Sequence, residues 1–308
     1  MPRWAYRALL SSILGLSLVA SACGSSGGGS PSSSSKGTIN IAGFNFPESS
    51  ILAYMYGGAL SGNGYTINYK VNLGSREVVA PALQKGDIDL YPGYTATDLV
   101  SFWGKSANAQ ATTDPKQNAD LLNTYLKPAG LEALTPSPAN DQNAFAVTKA
   151  TADKSNLKKM SDLAPVAKDM VLGGPPECPT RDFCQPGLKS VYGLTFKDFR
   201  ALDAGGPLTL AALEKGDIQL GLVFSSDGTV AAKGFVVLED DKHLQKADNI
   251  VPIGRTKVLT ADVTSILNGV SAKLTTADLL DMNKKASVDK DDPQQLATDW
   301  LKSHGYKT

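Results

Sequence analysis

The chain has 308 residues, and its 30 Lys and Arg balance 30 Asp and Glu, so the formal net charge is zero at pH 7. Neither sign of charge forms a long block, which gives no reason to expect nucleic acid as a partner. No apolar run reaches the roughly 20 residues that a membrane-spanning helix needs. The length is sufficient for one large or two smaller hydrophobic cores.

The N-terminus has the pattern of an export signal. Arg3 and Arg7 precede an apolar stretch, residues 8–20, and small residues lead up to Cys23. This predicts a signal peptide over residues 1–22 and a lipid attached to Cys23, with an ordinary cleavage site as the alternative. Residues 23–36, almost wholly Gly and Ser after the cysteine, predict a flexible linker. We therefore expect an exported protein, lipid-anchored to the outer face of the cytoplasmic membrane.

Strand and helix patterns alternate after the linker. The first five are a strand at 38–42, a helix at 47–60, a strand at 65–71, a helix ending at Lys85 with Ser75 as candidate cap, and a strand at 88–91. This order predicts an α/β fold with a mainly parallel sheet flanked by helices. Ligands of such sheets bind at the carboxyl ends of the strands.

A second alternation and a helical tail follow. The predicted elements are a helix opened by Asp114-Pro115, strands at 131–135, 143–147 and 170–172, a helix ending at Lys215, and strands at 218–224 and 235–238. Three tail helices follow. The second is capped by Thr275 or Thr276, and the third is opened by Asp292-Pro293. We predict two lobes, residues 37–142 plus 252–308 and residues 143–251. The tail is expected to pack on the first lobe.

One nine-residue phrase occurs twice. Residues 82–90 and 212–220 differ at only two positions, and each predicts a helix end, a left-handed glycine and a strand. An aromatic residue stands four positions after both copies, Tyr94 in the first and Phe224 in the second. The repeat therefore predicts two related lobes that aim matched aromatic side chains at one cleft.

The chain lacks the sequence signs of an enzyme. No nucleophile stands in a recognisable elbow, His243 has no partner in sequence, and no metal set or cofactor motif is present. Gly57-Gly58 and Gly173-Gly174 fit no nucleotide fingerprint, so we interpret them as helix ends and turns. We predict a binding protein that needs no metal or cofactor.

Two cysteines remain beside Cys23. Cys178 and Cys184 are six residues apart in a chain that we expect to be exported, which favours a disulfide. A metal site is the alternative, but the spacing matches no common zinc pattern. The bridge would stiffen the loop that carries Arg181.

Aromatic residues stand at the predicted strand ends. Any one aromatic side chain at such a position is more often part of the core than a ligand contact. Several rings facing one cleft would instead form a box that attracts a quaternary ammonium through the ring quadrupoles. The candidates are Phe44, Phe46, Tyr91, Tyr94, Phe145 and Phe224.

The sequence resembles a known family along residues 37–308. Segments 43–48, 86–97, 173–177, 225–228 and 267–285 are similar to the substrate-binding proteins of osmoprotectant ABC importers, the glycine betaine/carnitine/choline group. The resemblance implies a two-lobed periplasmic-binding-protein fold that closes on a quaternary-ammonium solute and delivers it to a membrane permease. We expect a monomer.

The same resemblance implies roles for individual residues. It places Tyr94 in the aromatic box with Thr97 beside it, and Arg181 where the family meets a ligand carboxylate. Phe145 and Phe224 stand where members often have tyrosine. Phe44 stands where many have lysine, and Asp248 falls near another family tyrosine. These departures leave open a different small polar or aromatic solute, or an envelope ligand sensor.

Overall fold

Two five-stranded sheets organise the protein in the computed structural model, which describes residues 35–308. The predicted signal peptide, Cys23 and most of the predicted linker lie outside the described residues. The strands are β1 Thr38–Phe44, β2 Thr66–Gly74, β3 Leu90–Tyr94, β4 Leu131–Ala133, β5 Asn143–Thr148, β6 Val171–Gly174, β7 Asp198–Ala201, β8 Leu220–Phe224, β9 Phe235–Leu238 and β10 Ile250–Arg255.

Helices flank both sheets. They are α1 Pro47–Gly62, α2 Arg76–Lys85, α3 Thr95–Asp98, α4 Pro115–Leu126, α5 Lys149–Ser155, α6 Gln185–Tyr192, α7 Pro207–Lys215, α8 Gly228–Ala232, α9 Ala261–Lys273, α10 Thr276–Lys284 and α11 Pro293–Ser303. None of the helices within residues 35–308 is long and apolar enough to cross a membrane.

Both sheets are mixed, which corrects the prediction of mainly parallel sheets. The first has the order β2-β1-β3-β10-β4, with β1 parallel to its neighbours and β10 antiparallel to its own. The second has the order β7-β6-β8-β5-β9, with β6 in parallel pairs and β5 in antiparallel ones. The chain enters β5 and β10 by crossing from the other sheet. Parallel neighbours are usually joined by a crossover helix within one sheet. β5 and β10 are not entered through such a connection, so they can pair antiparallel.

Two crossing segments connect the sheets and pair with each other. Asn140 and Asn249 form an antiparallel bridge, and the Asp141 N–H donates to the carbonyl of Asp248 at 3.1 Å. The predicted lobe boundary after residue 142 falls in the first segment, whereas the one after residue 251 falls inside β10. Those boundaries remain a prediction.

The repeated phrase forms the same unit in both sheets. Helices α2 and α7 end at Lys85 and Lys215, and Gly86 and Gly216 follow with φ of 87° and 76°. That left-handed backbone favours glycine because it lacks a Cβ. The strands β3 and β8 then end at Tyr94 and Phe224, which confirms the predicted helix, glycine and strand in each copy.

The predicted helix caps are confirmed with one difference. Asp114, Thr275 and Asp292 each accept hydrogen bonds from backbone N–H groups in the first turn of their helices. Ser75 stands at the cap position of α2, but its hydroxyl donates to the Glu77 carboxylate at 2.7 Å.

The C-terminal helices pack on α1, as predicted. The hydroxyls of Tyr56 and Ser271 lie 2.9 Å apart.

Gly57 and Gly58 lie inside α1 and Gly173-Gly174 inside β6, so interpreting them as helix ends and turns was wrong. A Cβ on Gly57 would stand 2.5 Å from the ring of Tyr69, so close packing explains this glycine.

Candidate functional site

A cleft lies at the carboxyl ends of the parallel strands, where both sheets contribute to its walls. It contains about 610 Å³ of empty space when its mouth is included. Residues at or just after the ends of β1, β3, β6 and β8 line it, as does each crossing segment. This is where ligands of α/β sheets bind.

A row of aromatic rings forms one wall. The ring centroid of Phe46 lies 5.9 Å from that of Phe44, 6.1 Å from that of Tyr94 and 5.4 Å from that of Phe224. Phe46 thereby connects the two aromatic residues that end the repeated units. Their ring faces provide the electron density that attracts an organic cation.

Glu48 is a buried carboxylate behind these rings. It accepts hydrogen bonds from the Tyr94 hydroxyl at 2.8 Å, the Ser226 hydroxyl at 2.6 Å and the Asn283 amide at 2.6 Å. Burial nevertheless raises its pKa above the usual range. Glu48 thus joins the first strand-to-helix turn to the segment after β8 and to α10.

The crossing segments carry two more buried carboxylates. Asp141 accepts from the Ser226 backbone N–H at 3.0 Å, and burial together with the Glu48 charge raises its pKa well above the usual range. Burial also raises the pKa of Asp248 to about 6, although Thr97 donates to it. No Lys, Arg or His in the described part of the chain forms an ion pair with Glu48, Asp141 or Asp248.

Asp248 holds the start of α3. Its Oδ1 accepts from the backbone N–H groups of Ala96 at 2.8 Å and Thr97 at 2.9 Å, and its Oδ2 from the Thr97 hydroxyl. The carboxylate is therefore positioned by the segment that follows Tyr94.

Two arginines reach the cleft, each beside acidic partners. The Arg76 Nε donates to Asp98 Oδ1 at 2.8 Å in a buried ion pair, with its guanidinium carbon 4.7 Å from the Phe44 ring centroid. Asp98 also accepts from the Tyr94 backbone N–H at 2.8 Å. The pair thus supports the aromatic wall as well as balancing its own charge.

Arg181 bridges the two halves of the cleft mouth. Its Nη2 lies 2.9 Å from Glu77 on α2 and 3.3 Å from Glu177 in its own loop. Burial opposes ionisation of Glu77, but the Arg181 charge and hydrogen bonds from Ser75 and Arg181 lower its pKa to about 2. A disulfide joins Cys178 and Cys184 around Arg181, which confirms the predicted bridge.

The cleft brings together six of the seven residues predicted to bind ligand: Phe44, Tyr94, Thr97, Arg181, Phe224 and Asp248. Phe145 lies on β5 and lines a different cavity, beside Met160 and Leu188. The contribution of each residue to binding remains a prediction.

Sequence reasoning missed four polar residues: Arg76 and Asp141, which line the cleft, and Glu48 and Asp98, which accept hydrogen bonds from Tyr94 in its wall. All are at least nine-tenths buried. Three of them had a usable signal, because Glu48, Arg76 and Asp98 closely follow the ends of β1, β2 and β3, where ligand contacts are expected.

Two α/β lobes, two crossing segments and a cleft between the sheets define the class of extracytoplasmic solute-binding proteins. A family model described as the substrate-binding domain of the ABC-type glycine betaine transport system matches residues 37–303. The chain belongs to this family. It is a transport binding protein of an ABC importer and not an enzyme.

Individual relatives agree with this assignment. The glycine betaine-binding protein YehZ of Escherichia coli is 28% identical over 270 residues, covering 84% of this chain and 88% of that protein. The carnitine transport binding protein OpuCC of Listeria monocytogenes is 26% identical and covers 96% of this chain and 94% of its own length. A solved structure described as a glycine betaine/carnitine/choline ABC transporter is 26% identical, with a TM-score of 0.68 over 88% of this chain and 100% of that one.

Proposed function

We propose that the protein captures a small quaternary-ammonium solute, such as glycine betaine, carnitine or choline, and delivers it to a membrane permease. One observation carries this proposal: a row of aromatic rings shares the cleft with two buried carboxylates, Asp141 and Asp248, while a third, Glu48, accepts a hydrogen bond from the hydroxyl of Tyr94 in that row. A methylated ammonium can lie against ring faces without needing a hydrogen-bond acceptor.

The charge balance of the cleft supports a cationic ligand. Arg76 is paired with Asp98, and Arg181 with Glu77 and Glu177. Glu48, Asp141 and Asp248 form no ion pair with a basic side chain within residues 35–308, although the Arg76 charge acts on Asp248 from a greater distance. Each ring contributes about 0.5–2 kcal/mol to cation binding, so the four rings supply about 2–8 kcal/mol of the roughly 8 kcal/mol that micromolar affinity needs.

Titration calorimetry of the purified protein tests the charge of the ligand. Choline and 3,3-dimethyl-1-butanol have nearly the same shape, but only choline carries a positive charge. We expect choline, glycine betaine or carnitine to bind, and the neutral analogue of choline to bind at least about 10-fold more weakly than choline. Equal binding of choline and its neutral analogue would refute a cation site, and binding of another solute class would favour the alternative of a different ligand.

A matched pair of phenylalanines tests the position of the ligand. Phe224 lines the cleft, whereas Phe145 lies on the neighbouring strand outside it. We expect Phe224→Leu to weaken binding about 2- to 30-fold, the range of one ring, and Phe145→Leu to change it less than about 2-fold. The reverse ranking would place the ligand in the other cavity.

The membrane attachment and the oligomeric state of the protein are also part of the proposal. Lipid on Cys23 would keep it at the outer face of the cytoplasmic membrane, and we expect a monomer that docks on its permease. Cys23→Ala should then release the protein from membranes in a fractionation experiment. Loss of solute uptake on deletion of the gene would distinguish a transporter subunit from a ligand sensor.

A further inference from the structure

Arg76 has hydrogen-bond donors that the protein does not use. Its side chain is 5% exposed, and its Nε donates to Asp98 at 2.8 Å. Throughout residues 35–308, no side-chain or backbone atom accepts a hydrogen bond from Nη1 or Nη2. The residue lines the cleft beside Phe44 and Tyr94. Its outer guanidinium edge therefore offers two donors to the ligand space.

Such donors favour an anionic group of matching shape. A guanidinium edge that faces open cleft space can pair with both oxygens of a carboxylate. We propose that Arg76 binds the carboxylate of a zwitterionic ligand and thereby distinguishes betaines from choline. This inference rests on the proposed function, because it assigns the second end of the same ligand.

Arg181, to which the family resemblance assigns the carboxylate, is less available. Its Nη2 lies within 2.9 Å of Glu77 and 3.3 Å of Glu177, and its Nε is 3.4 Å from Glu77. A ligand carboxylate at Arg181 would compete with two carboxylates already present. Arg76 needs no such exchange, because Asp98 occupies only its Nε.

The remaining groups give the ligand a direction. Phe44 and Arg76 lie at one end of the aromatic row, and Phe224 at the other. Glu48 and Asp141 lie near the Phe224 end, joined through Ser226. The ammonium therefore belongs against the rings of Phe46 and Phe224, and the carboxylate at Arg76. Asp248 accepts hydrogen bonds from Ala96 and Thr97 and forms no ion pair with Arg76 among the described residues, although the Arg76 charge acts to lower its pKa.

The test compares glycine betaine with choline, which share the trimethylammonium head but differ in the carboxylate. In Arg76→Lys, the charge beside Asp98 remains and the guanidinium edge is lost. We expect the affinity for glycine betaine to fall about 10-fold or more relative to that for choline. A purely structural role of Arg76 would weaken both ligands by the same factor, and that result would overturn the proposal.

Arg181→Lys is the matched control. Because it loosens the contact between the two halves of the cleft, it should weaken both ligands alike. A selective loss of glycine betaine in Arg181→Lys and not in Arg76→Lys would assign the carboxylate to Arg181 instead.

A second variant keeps the test informative if Arg76→Lys does not fold. Arg76→Met combined with Asp98→Asn removes both charges of this ion pair, so that neither partner is left buried without the other. The same selective loss is expected, and equal losses for both ligands would again overturn the proposal. If the wild-type protein binds neither ligand, the proposed function fails and the assignment of Arg76 fails with it. If the wild-type protein binds both glycine betaine and choline, the proposed function stands, and the Arg76 variants alone decide whether Arg76 binds the carboxylate.

Discussion

Asp248→Asn is expected to stabilise the ligand-free protein while weakening its affinity for a cation. Asparagine has the shape of a protonated aspartic acid. Its oxygen can still accept from the backbone N–H groups of Ala96 and Thr97, and its amide can donate to the Thr97 hydroxyl. The substitution therefore removes a buried charge and leaves the packing in place.

The size of the effect follows from the pKa of Asp248. Burial raises this pKa from the usual 3.8 to about 6, so the folded state binds the proton more tightly than the unfolded state. Stability is thus lost as the pH rises from 3.8 through 6. The cost is about 1 kcal/mol at pH 4.5 and about 3 kcal/mol at pH 8. The asparagine variant avoids it, so its advantage should grow by about 2 kcal/mol between these pH values.

Urea unfolding of both proteins at pH 4.5, 6, 7 and 8 measures this difference. The other buried acids, Glu48 and Asp141, remain in both proteins, and their direct contributions largely cancel. Choline titrations at pH 7 should show the opposite effect, weaker binding by the variant, because the variant lacks one carboxylate of the cleft lining. A stability difference that is constant with pH, or a loss of stability at pH 8, would refute the reasoning.

Two further substitutions test other contacts. Glu77→Gln removes the negative charge that faces Arg181. Because Glu77 is 43% exposed, we expect a loss below about 1 kcal/mol, seen as ligand release up to about 5-fold faster in stopped flow. Adding Arg181→Gln should then have little further effect, whereas additive losses would show that the two residues do not act together. Gly57→Ala places a methyl group 2.5 Å from the Tyr69 ring and should cost about 1–3 kcal/mol in thermal unfolding, more than Gly58→Ala, which meets one terminal carbon of Leu301. Equal melting of both variants would contradict this packing.

Much of the fold could be predicted because its signals are local. A helix end, a left-handed glycine and a strand are encoded within nine residues, and this nine-residue segment occurs twice in the chain. The aromatic residues after each copy then follow from the strand length, since Tyr94 and Phe224 occupy the same position in β3 and β8. Helix caps such as Asp114 and Asp292 are equally local.

The rest depends on contacts between distant parts of the chain. The sequence predicts strand β5, but its antiparallel direction could not be predicted from spacing. Strand β10 was missed altogether, because Pro252 and Gly254 weaken its strand pattern. The ion pair of Arg76 and Asp98 joins residues 22 positions apart, and Glu48 meets Ser226 across 178 positions. Gly57 resembled a helix end in sequence because its close neighbour, Tyr69, lies on another element.

The buried carboxylates link the stability of the ligand-free protein to its affinity for a cation. Asp141 and Asp248 lie on the two crossing segments, which hydrogen-bond to each other between the sheets. Their raised pKa values mean that ionisation destabilises the protein at neutral pH while the cleft holds no cation. On the proposed function, a bound ammonium would offset that cost at the segments that connect the sheets. Affinity for a cation and low stability without it therefore have one origin, and Asp248→Asn should change both together.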